Sequence, residues 1–499
     1  MKKDFDDKNW RRCLPKPVFD GFPEYNELYY KTWEIARAHV KHIKGMPQNP
    51  YMDEGFCDTR IWIWDTCFMS LFCKYAQEVF PSVESFNNFY EVLYGDKLLP
   101  KVMSADGVLE NILIHHPDNP PLFAWAEYEN ALISGDKEHV KTLLYKKQFL
   151  QKHYEWIESL KSPERIKGVW SQTYIIAGKN GYKWAGISSG MDNTPRGRTG
   201  AKADKERPNN PDMLWVDAIC QQALSAKCIS ELFSLTGDKE NAKIWYDKFL
   251  TKKETVNTLY WDKDSGFYYD IDCKDHGFYK VPTIASFWAL TAVIATKEQA
   301  KKMAEYVTDP EYFGGETPLL SLARKDGDFS ATGKYWRGSL WLPTAYAALK
   351  GLVKYGYFDV ARIAANKILR KISDTYKEYE PHTIWECYSP ADNKPATQAD
   401  GKTLVRPDFC GWSALGPISI YIEFVLGFYE INAFTKTIKW HKPEFKGKTG
   451  VKNLRFGDII TDIIVENGVL KVKSNAPYTL ILNGKTYSVS VGKNIFDML

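Results

Sequence analysis

The sequence predicts an all-α body of paired helices closed into an (α/α) toroid, followed by a small C-terminal antiparallel β domain. Three observations predict it: apolar stripes at helical spacing in segment after segment, two inter-helix junctions that nearly repeat each other, and a change from helical to alternating pattern near residue 437. With 499 residues the chain exceeds what one simple core serves, so a large closed unit at 1–435 and a small one at 436–499 are expected.

The first stripe is in "ELYYKTWEIARAHVKH", where Leu28, Trp33, Ala36 and Val40 line one face. Comparable stripes predict helices over 64–78, 121–134, 138–160, 214–235, 239–258, 284–295, 340–355, 358–374 and 413–430. The junctions "ISGDKEH" (133–139) and "LTGDKEN" (235–241) put glycine where a left-handed residue ends a helix, and aspartate where the next helix needs its N-cap. "KYGYFD" (354–359) places Gly356 in the same way. Hairpins over about 430 residues can bury their stripes in an open superhelix or in a ring. No strict repeat of roughly 33–45 residues exists, which favours the ring.

In the tail, Leu470 and Val472 alternate with Lys471 and Lys473, and Tyr487, Val489 and Val491 with Ser488 and Ser490. Asn467-Gly468 and Asn483-Gly484 predict two-residue hairpin turns. The tail reads as a cap on the helical body in preference to a separate binding module.

Composition narrows the partners. Lys plus Arg number 66 against 62 Asp plus Glu, with no long basic block, so neither nucleic acid nor a membrane surface is an expected partner. The most apolar run, "ISIYIEFVLGF", is interrupted by Glu423 and is too short to span a bilayer. Nine scattered cysteines with no CxxC pair argue against a disulfide framework or structural zinc and for a reducing compartment. No apolar segment follows "MKKDFDDKNW", so the expectation is cytoplasmic, or periplasmic if a signal peptide has been removed. Oligomeric state is left open. The 17 tryptophans and 30 tyrosines suit a helical core, and they also supply flat faces for sugar rings.

The loops between helices carry the chemistry. "SSGMDNTPRG" (188–197) holds one carboxylate, Asp192, between a glycine and a proline that exclude regular structure throughout. "DTRIWIWDTCF" (58–68) carries Trp62, Trp64 and Asp65, and "HHPDNPPLFAW" (115–125) carries Asn119. "KYWRGSLWLP" (334–343) groups Trp336, Arg337 and Trp341; "HTIWECYSPADNKP" (382–395) sets Glu386 between Trp385 and Tyr388; "RPDFCGWSALG" (406–416) offers Trp412. Singly, Asp65 could cap a helix, Arg337 could pair with a buried carboxylate and Asp192 could stabilise its own turn. Jointly, they place Asp, Glu, Asn, Arg and Trp on several hairpin loops that would converge at one end of a toroid. Two carboxylates across such a cavity are the apparatus of glycoside hydrolysis, and Asp192 and Glu386 are the pair. No Ser-His-Asp, HExxH or phosphate-loop pattern competes.

"GMDNTPRG", "KYWRGSLWLPTAYAALKGLVKYGY" and "IWECYSP…DFCGWSALG" resemble, in order, motifs of the inverting glycoside hydrolases of family 63 and their relatives, the family 37 trehalases and the mannosylglycerate hydrolases. "WIWDTCF" and "DNPPLFAW" resemble the upstream motifs, and the likeness covers roughly residues 55 to 430. The resemblance implies an (α/α)6 toroid, or six-hairpin barrel, with Asp192 as general acid and Glu386 as general base. It implies that Trp64, Asp65, Asn119, Arg337 and Trp412 line the sugar subsite, with Arg196, Trp336 and Trp341 close by. Inversion sets the carboxyl groups about 6.5–9.5 Å apart, leaving space for water, and needs neither metal nor cofactor. The implied activity is an exo-glycosidase on an α-linked glucoside of an oligosaccharide or small glycoside. An α-mannoside or mannosylglycerate hydrolase is the rival on the same fold. A non-catalytic carbohydrate-binding protein, or a sugar 2-epimerase that would need histidines such as His382, are the remaining alternatives. Ser188 and Gly197 depart from the family pattern beside the acid, which leaves the reaction class standing and weakens transfer of the family's sugar preference.

Overall fold

The Gly-Asp junctions do what their chemistry allows. Gly135 ends the helix Phe123–Ser134 at φ +65°, and Asp136 accepts a hydrogen bond from the His139 N–H to begin the next turn. Gly237 and Asp238 repeat this between Val216–Thr236 and Lys239–Leu259. Gly356, at φ +85°, separates Leu342–Lys354 from Phe358–Glu378. These are helical hairpins in a computed structural model that describes residues 3–196 and 210–498; Gly197 lies outside the described residues.

One set of helices is buried along its length. All eleven residues of Ile63–Cys73 are buried, the mark of a helix inside a body. It packs on Phe123–Ser134, which packs on Val216–Thr236, and Val216–Thr236 packs on the short turns Ile284–Phe287 and Trp288–Thr291. Those meet Leu342–Lys354, which meets Ser413–Leu415 and the π-helix Gly416–Val425, and these return to Ile63–Cys73. Glu24–Ala38, Phe149–Ser159, Lys239–Leu259 and Phe358–Glu378 each lie against a member of this set. Among the described residues, no helix is long and apolar enough to cross a membrane.

Several elements depart from expectation. The stretch 138–160 is interrupted at Gln148, which adopts φ +55° between the π-helix Thr142–Lys147 and Phe149–Ser159. The helix Lys297–Thr308 has no counterpart among the predicted stripes, because Ala300, Met303, Ala304 and Val307 form a thin face; a Thr296–Gln299 capping box fixes its start. The all-α expectation also omits short ladders within the loops, such as Arg60–Trp62 against Leu113–His115.

The tail forms two sheets. Thr449–Phe456, Ile459–Glu466, Val469–Ser474 and Gly492–Asp497 join the N-terminal strand Lys16–Phe19 in a five-stranded antiparallel sheet. Glu430–Asn432, Thr437–Trp440, Tyr478–Leu482 and Lys485–Val489 form the second. Both Asn-Gly turns have positive φ at both residues, as a two-residue hairpin requires. The second sheet corrects the purely antiparallel expectation: Thr437–Trp440 runs parallel to Tyr478–Leu482, because the chain crosses to the other sheet between them. Val491 lies past its strand end and is 66% exposed instead of facing inward.

At one end of the body, four charges from four segments meet out of water. Lys74 Nζ lies 3.1 Å from Glu129 Oε2 and 2.9 Å from Glu423 Oε1, and Lys350 Nζ lies 2.9 and 3.2 Å from the same two carboxylates. The Tyr75 and Tyr346 hydroxyls donate to Glu423. Burial pushes the Glu129 carboxyl up, but Lys350 and Lys74 outweigh it and hold Glu129 well below the usual range. Glu129 therefore contributes stability above its ordinary value of 4.5 that is lost as pH falls. Lys350→Met is expected to destabilise the protein by about 3–5 kcal/mol in urea unfolding at pH 7. The difference from the unsubstituted protein should narrow below that ordinary value.

Candidate active site

Three residues shape the Asp192 loop. Gly186–Ser189 makes one helical turn, and Gly190 ends it at φ +80°, where an added Cβ would stand 3.1 Å from the Trp64 ring. The Ser189 hydroxyl then accepts from the Met191 N–H at 3.2 Å. Asn193 straps the loop to the next motif: its Nδ2 donates to the Lys334 carbonyl at 3.1 Å, and its Oδ1 accepts from the Trp336 N–H at 2.8 Å. Its carbonyl accepts from Arg337 Nε at 3.2 Å. Asp192, half-buried, therefore lies on a loop locked to residues 334–337.

Glu386 is fully buried. Its Oε1 accepts from the Tyr335 hydroxyl at 2.8 Å, its Oε2 accepts from the Arg406 N–H at 3.3 Å, and the Arg406 guanidinium lies 3.7 Å from Oε2. Trp412 Nε1 donates to the Glu386 carbonyl at 2.7 Å. Burial raises the Glu386 pKa; Arg406 and the Tyr335 hydroxyl pull it part of the way back.

Two groups feel both carboxylates. Asp65 is raised well above the carboxylate range, chiefly by burial, with the charges of Glu386 and Asp192 adding to it. Tyr335 is raised by burial and by the same two charges. Asp192 and Glu386 thus bear on one small region. Around it, Trp64 Nε1, Asp65 Oδ1 and Asn119 Oδ1 are buried and have no hydrogen-bond partner among the described residues. Asn119 is held there by its Nδ2, which donates to the Ser188 carbonyl at 3.0 Å. Asp65 sits in the first turn of its helix without capping it, as Trp62 occupies the N-cap position.

The remaining expected residues divide. Arg337 reaches Asn193 and also lies 3.3 Å from Asp328. Trp336 and Trp341 are buried and stacked on each other, ring centroids 4.0 Å apart, with Trp412 5.5 Å from Trp341. Arg196 takes a different part from the one expected. Its guanidinium is spent on Asp217 and Asp270, with bonds of 2.5–2.8 Å, and on the Met191 sulfur, and it lies over Trp215. No N–H remains for a sugar. Its place is beneath the Asp192 loop, holding it down. His382 is exposed and bound to Glu380 and the Tyr376 carbonyl.

Sequence reasoning missed Tyr335, Asn193 and Arg406, although each lies inside a quoted motif. It also missed Glu54, fully buried, with both carboxyl oxygens lacking a hydrogen-bond partner among the described residues and a pKa raised by burial, Asp53 and Asp65. The acidic pair "DE" before the WIWD motif was its one signal. Of the adjacent histidines, His116 lies within 3.4 Å of the Ser188 hydroxyl, and His115 is pushed down to about 4 by burial and Arg60, hence neutral near pH 7.

Residues 102–403 match the model of the mannosylglycerate hydrolase MGH1-like glycoside hydrolase domain. An uncharacterized protein of Borreliella burgdorferi is 27% identical over 95% of both chains. The mannosyl-oligosaccharide glucosidase of Saccharomyces cerevisiae is 27% identical over 53% of this chain, which spans about a third (33%) of that enzyme. Among solved structures, a sialidase matches 100% of this chain and 41% of its own with TM-score 0.68 at 14% identity. The GH63 mannosylglycerate hydrolase of Thermus thermophilus, bound to Tris, matches 79% of this chain and 99% of its own with TM-score 0.51 at 17% identity. At these identities the two structures speak for the fold alone.

Arg196→Lys cannot reproduce two forked pairs and leaves a buried aspartate short of its counter-ion. Urea unfolding is expected to show a loss of about 3–5 kcal/mol.

Proposed function

Because the chain belongs to the MGH1-like glycoside hydrolase family and is a glycoside hydrolase, we propose that it is an inverting exo-glycosidase acting on an α-linked glucoside of an oligosaccharide or small glycoside. We read the circuit of helix contacts as a closed (α/α)6 toroid whose loops carry the site at one mouth. Asp192 gives its proton to the glycosidic oxygen as the bond to the anomeric carbon breaks. Glu386 takes a proton from the water that attacks the opposite face. Tyr335 and Arg406 stabilise the ionised form of Glu386, which burial disfavours. Burial and the neighbouring carboxylates raise the Asp65 pKa, which favours a carboxylic acid whose hydroxyl can donate to the sugar.

One observation carries the reading: buried donors and acceptors without protein partners among the described residues, Trp64 Nε1, Asp65 Oδ1 and Asn119 Oδ1, surround the region on which both carboxylates bear. Buried polar groups demand partners, and a polyhydroxylated ring supplies them. The glucoside is favoured by likeness to the yeast glucosidase. The description of the family itself favours a second reading, an α-mannoside such as mannosylglycerate.

A panel of α-linked glucose disaccharides, mannobioses and mannosylglycerate, followed by proton NMR, tests both. Release of β-glucose first from an α-glucoside supports the proposal; cleavage of mannosides alone selects the second reading; release of the α-anomer first overturns inversion. Asp192→Asn and Glu386→Gln are each expected to lower kcat at least about 1,000-fold with unfolding unchanged. Tyr335→Phe should lower kcat/KM by about 10–100-fold. It should also move the acid limb of the pH profile upward, because Glu386 loses a hydrogen bond that lowers its pKa.

A further inference from the structure

The end of the helical body away from the catalytic loops holds a cavity of ≈ 480 Å³, a size that takes a small organic molecule. Trp341 precedes the helix 342–354 and Lys354 ends it, a separation of about 20 Å along the axis. Apolar wall is provided by Val293, Val353 and Phe424. The charged lining is unbalanced: five lysines against three glutamates. Lys74 and Lys350 are matched by Glu129 and Glu423, Lys439 by Glu430, and Lys227 by Glu231 at 3.0 Å. Lys354 has no ion pair among the described residues; its side chain is exposed on the cavity wall and donates to the Thr291 carbonyl at 3.2 Å. Partial desolvation against the cavity wall, then repulsion from Lys227, brings its ammonium down to about 8. The wall is also strained: Val293, β-branched, adopts φ +61°, a conformation that persists where surrounding structure enforces it and that clusters at ligand sites.

We propose that this cavity is a second binding site, for a small organic anion whose phosphate or carboxylate group pairs with Lys354 and Lys227 while its carbon body lies against Val293 and Phe424. The Lys74–Glu129–Lys350–Glu423 cluster lies on the floor of this cavity, so its occupant touches the helices that carry the catalytic loops without touching the loops. Such an occupant is an effector and not a substrate.

Isothermal titration calorimetry of the full chain at pH 7 and fixed ionic strength tests this with three probes: inorganic phosphate, a hexose 6-phosphate and butyrate. Saturable binding of at least one probe is expected. It should weaken at least tenfold in Lys354→Gln and in Lys227→Gln, and should be unchanged in Glu386→Gln. Preference among the probes then assigns the head group. If no probe binds saturably, or both lysine variants bind as the unsubstituted protein does, the site does not exist. If Glu386→Gln abolishes binding, the anion occupies the catalytic mouth and the proposal fails there too, whatever the fate of the hydrolase reading.

Discussion

Four charges taken out of water fix how the helices sit. Lys74, Glu129, Lys350 and Glu423 come from four inner segments, and each cation lies within 3.2 Å of both carboxylates. Such a cluster is costly to desolvate and tolerates little displacement, because a shift of one helix along its axis would strand a buried charge. Its effect is therefore on register more than on net stability. With each segment pinned at this cluster, the residues at their starts, Asp65, Asn119, Trp341 and Trp412, have a fixed relation to one another.

The end that carries the proposed site has the opposite electrostatics. Asp65, Glu54 and Glu386 are buried near one another, with Asp192 close by, and among the described residues only the Arg406 guanidinium pairs with one of the three buried groups. Carboxyl groups gathered this way cannot all ionise. The environment sorts them: Glu54 and Asp65 are pushed furthest toward the protonated form, while Glu386 receives a phenol, a backbone N–H and an arginine that favour its charge. The same residue types thus take different roles because their neighbours differ. The strap through Asn193 matters for the same reason, since it ties the Asp192 loop to the segment that supplies Tyr335 to Glu386.

Much of this was legible in the sequence where a residue's local chemistry leaves little choice. Gly135, Asp136, Gly237 and Asp238 mark hairpin junctions by φ preference and capping alone. Asn467-Gly468 and Asn483-Gly484 announce their turns likewise. What was not legible depends on partners remote in sequence. The charge network that occupies Arg196 completely comes from Asp217 and Asp270, which no local pattern links to the Asp192 loop. Tyr335 acquires its role from Glu386, 51 residues on. The parallel pairing of Thr437–Trp440 with Tyr478–Leu482 depends on a crossover between sheets, and alternation of side chains is blind to strand direction.

The strand Lys16–Phe19 has a consequence for synthesis. It hydrogen-bonds to Thr449–Lys452, and Asn453 Nδ2 donates to the carbonyls of Arg12 and Leu14 across 441 and 439 positions of chain. During translation this strand emerges well before its partner and must wait, its edge unpaired, until residues 449–452 have left the ribosome. The closing of that ladder is a late, long-range event. A nascent chain stalled before residue 449 would leave a sticky edge at Lys16–Phe19, open to chaperones or to neighbouring chains.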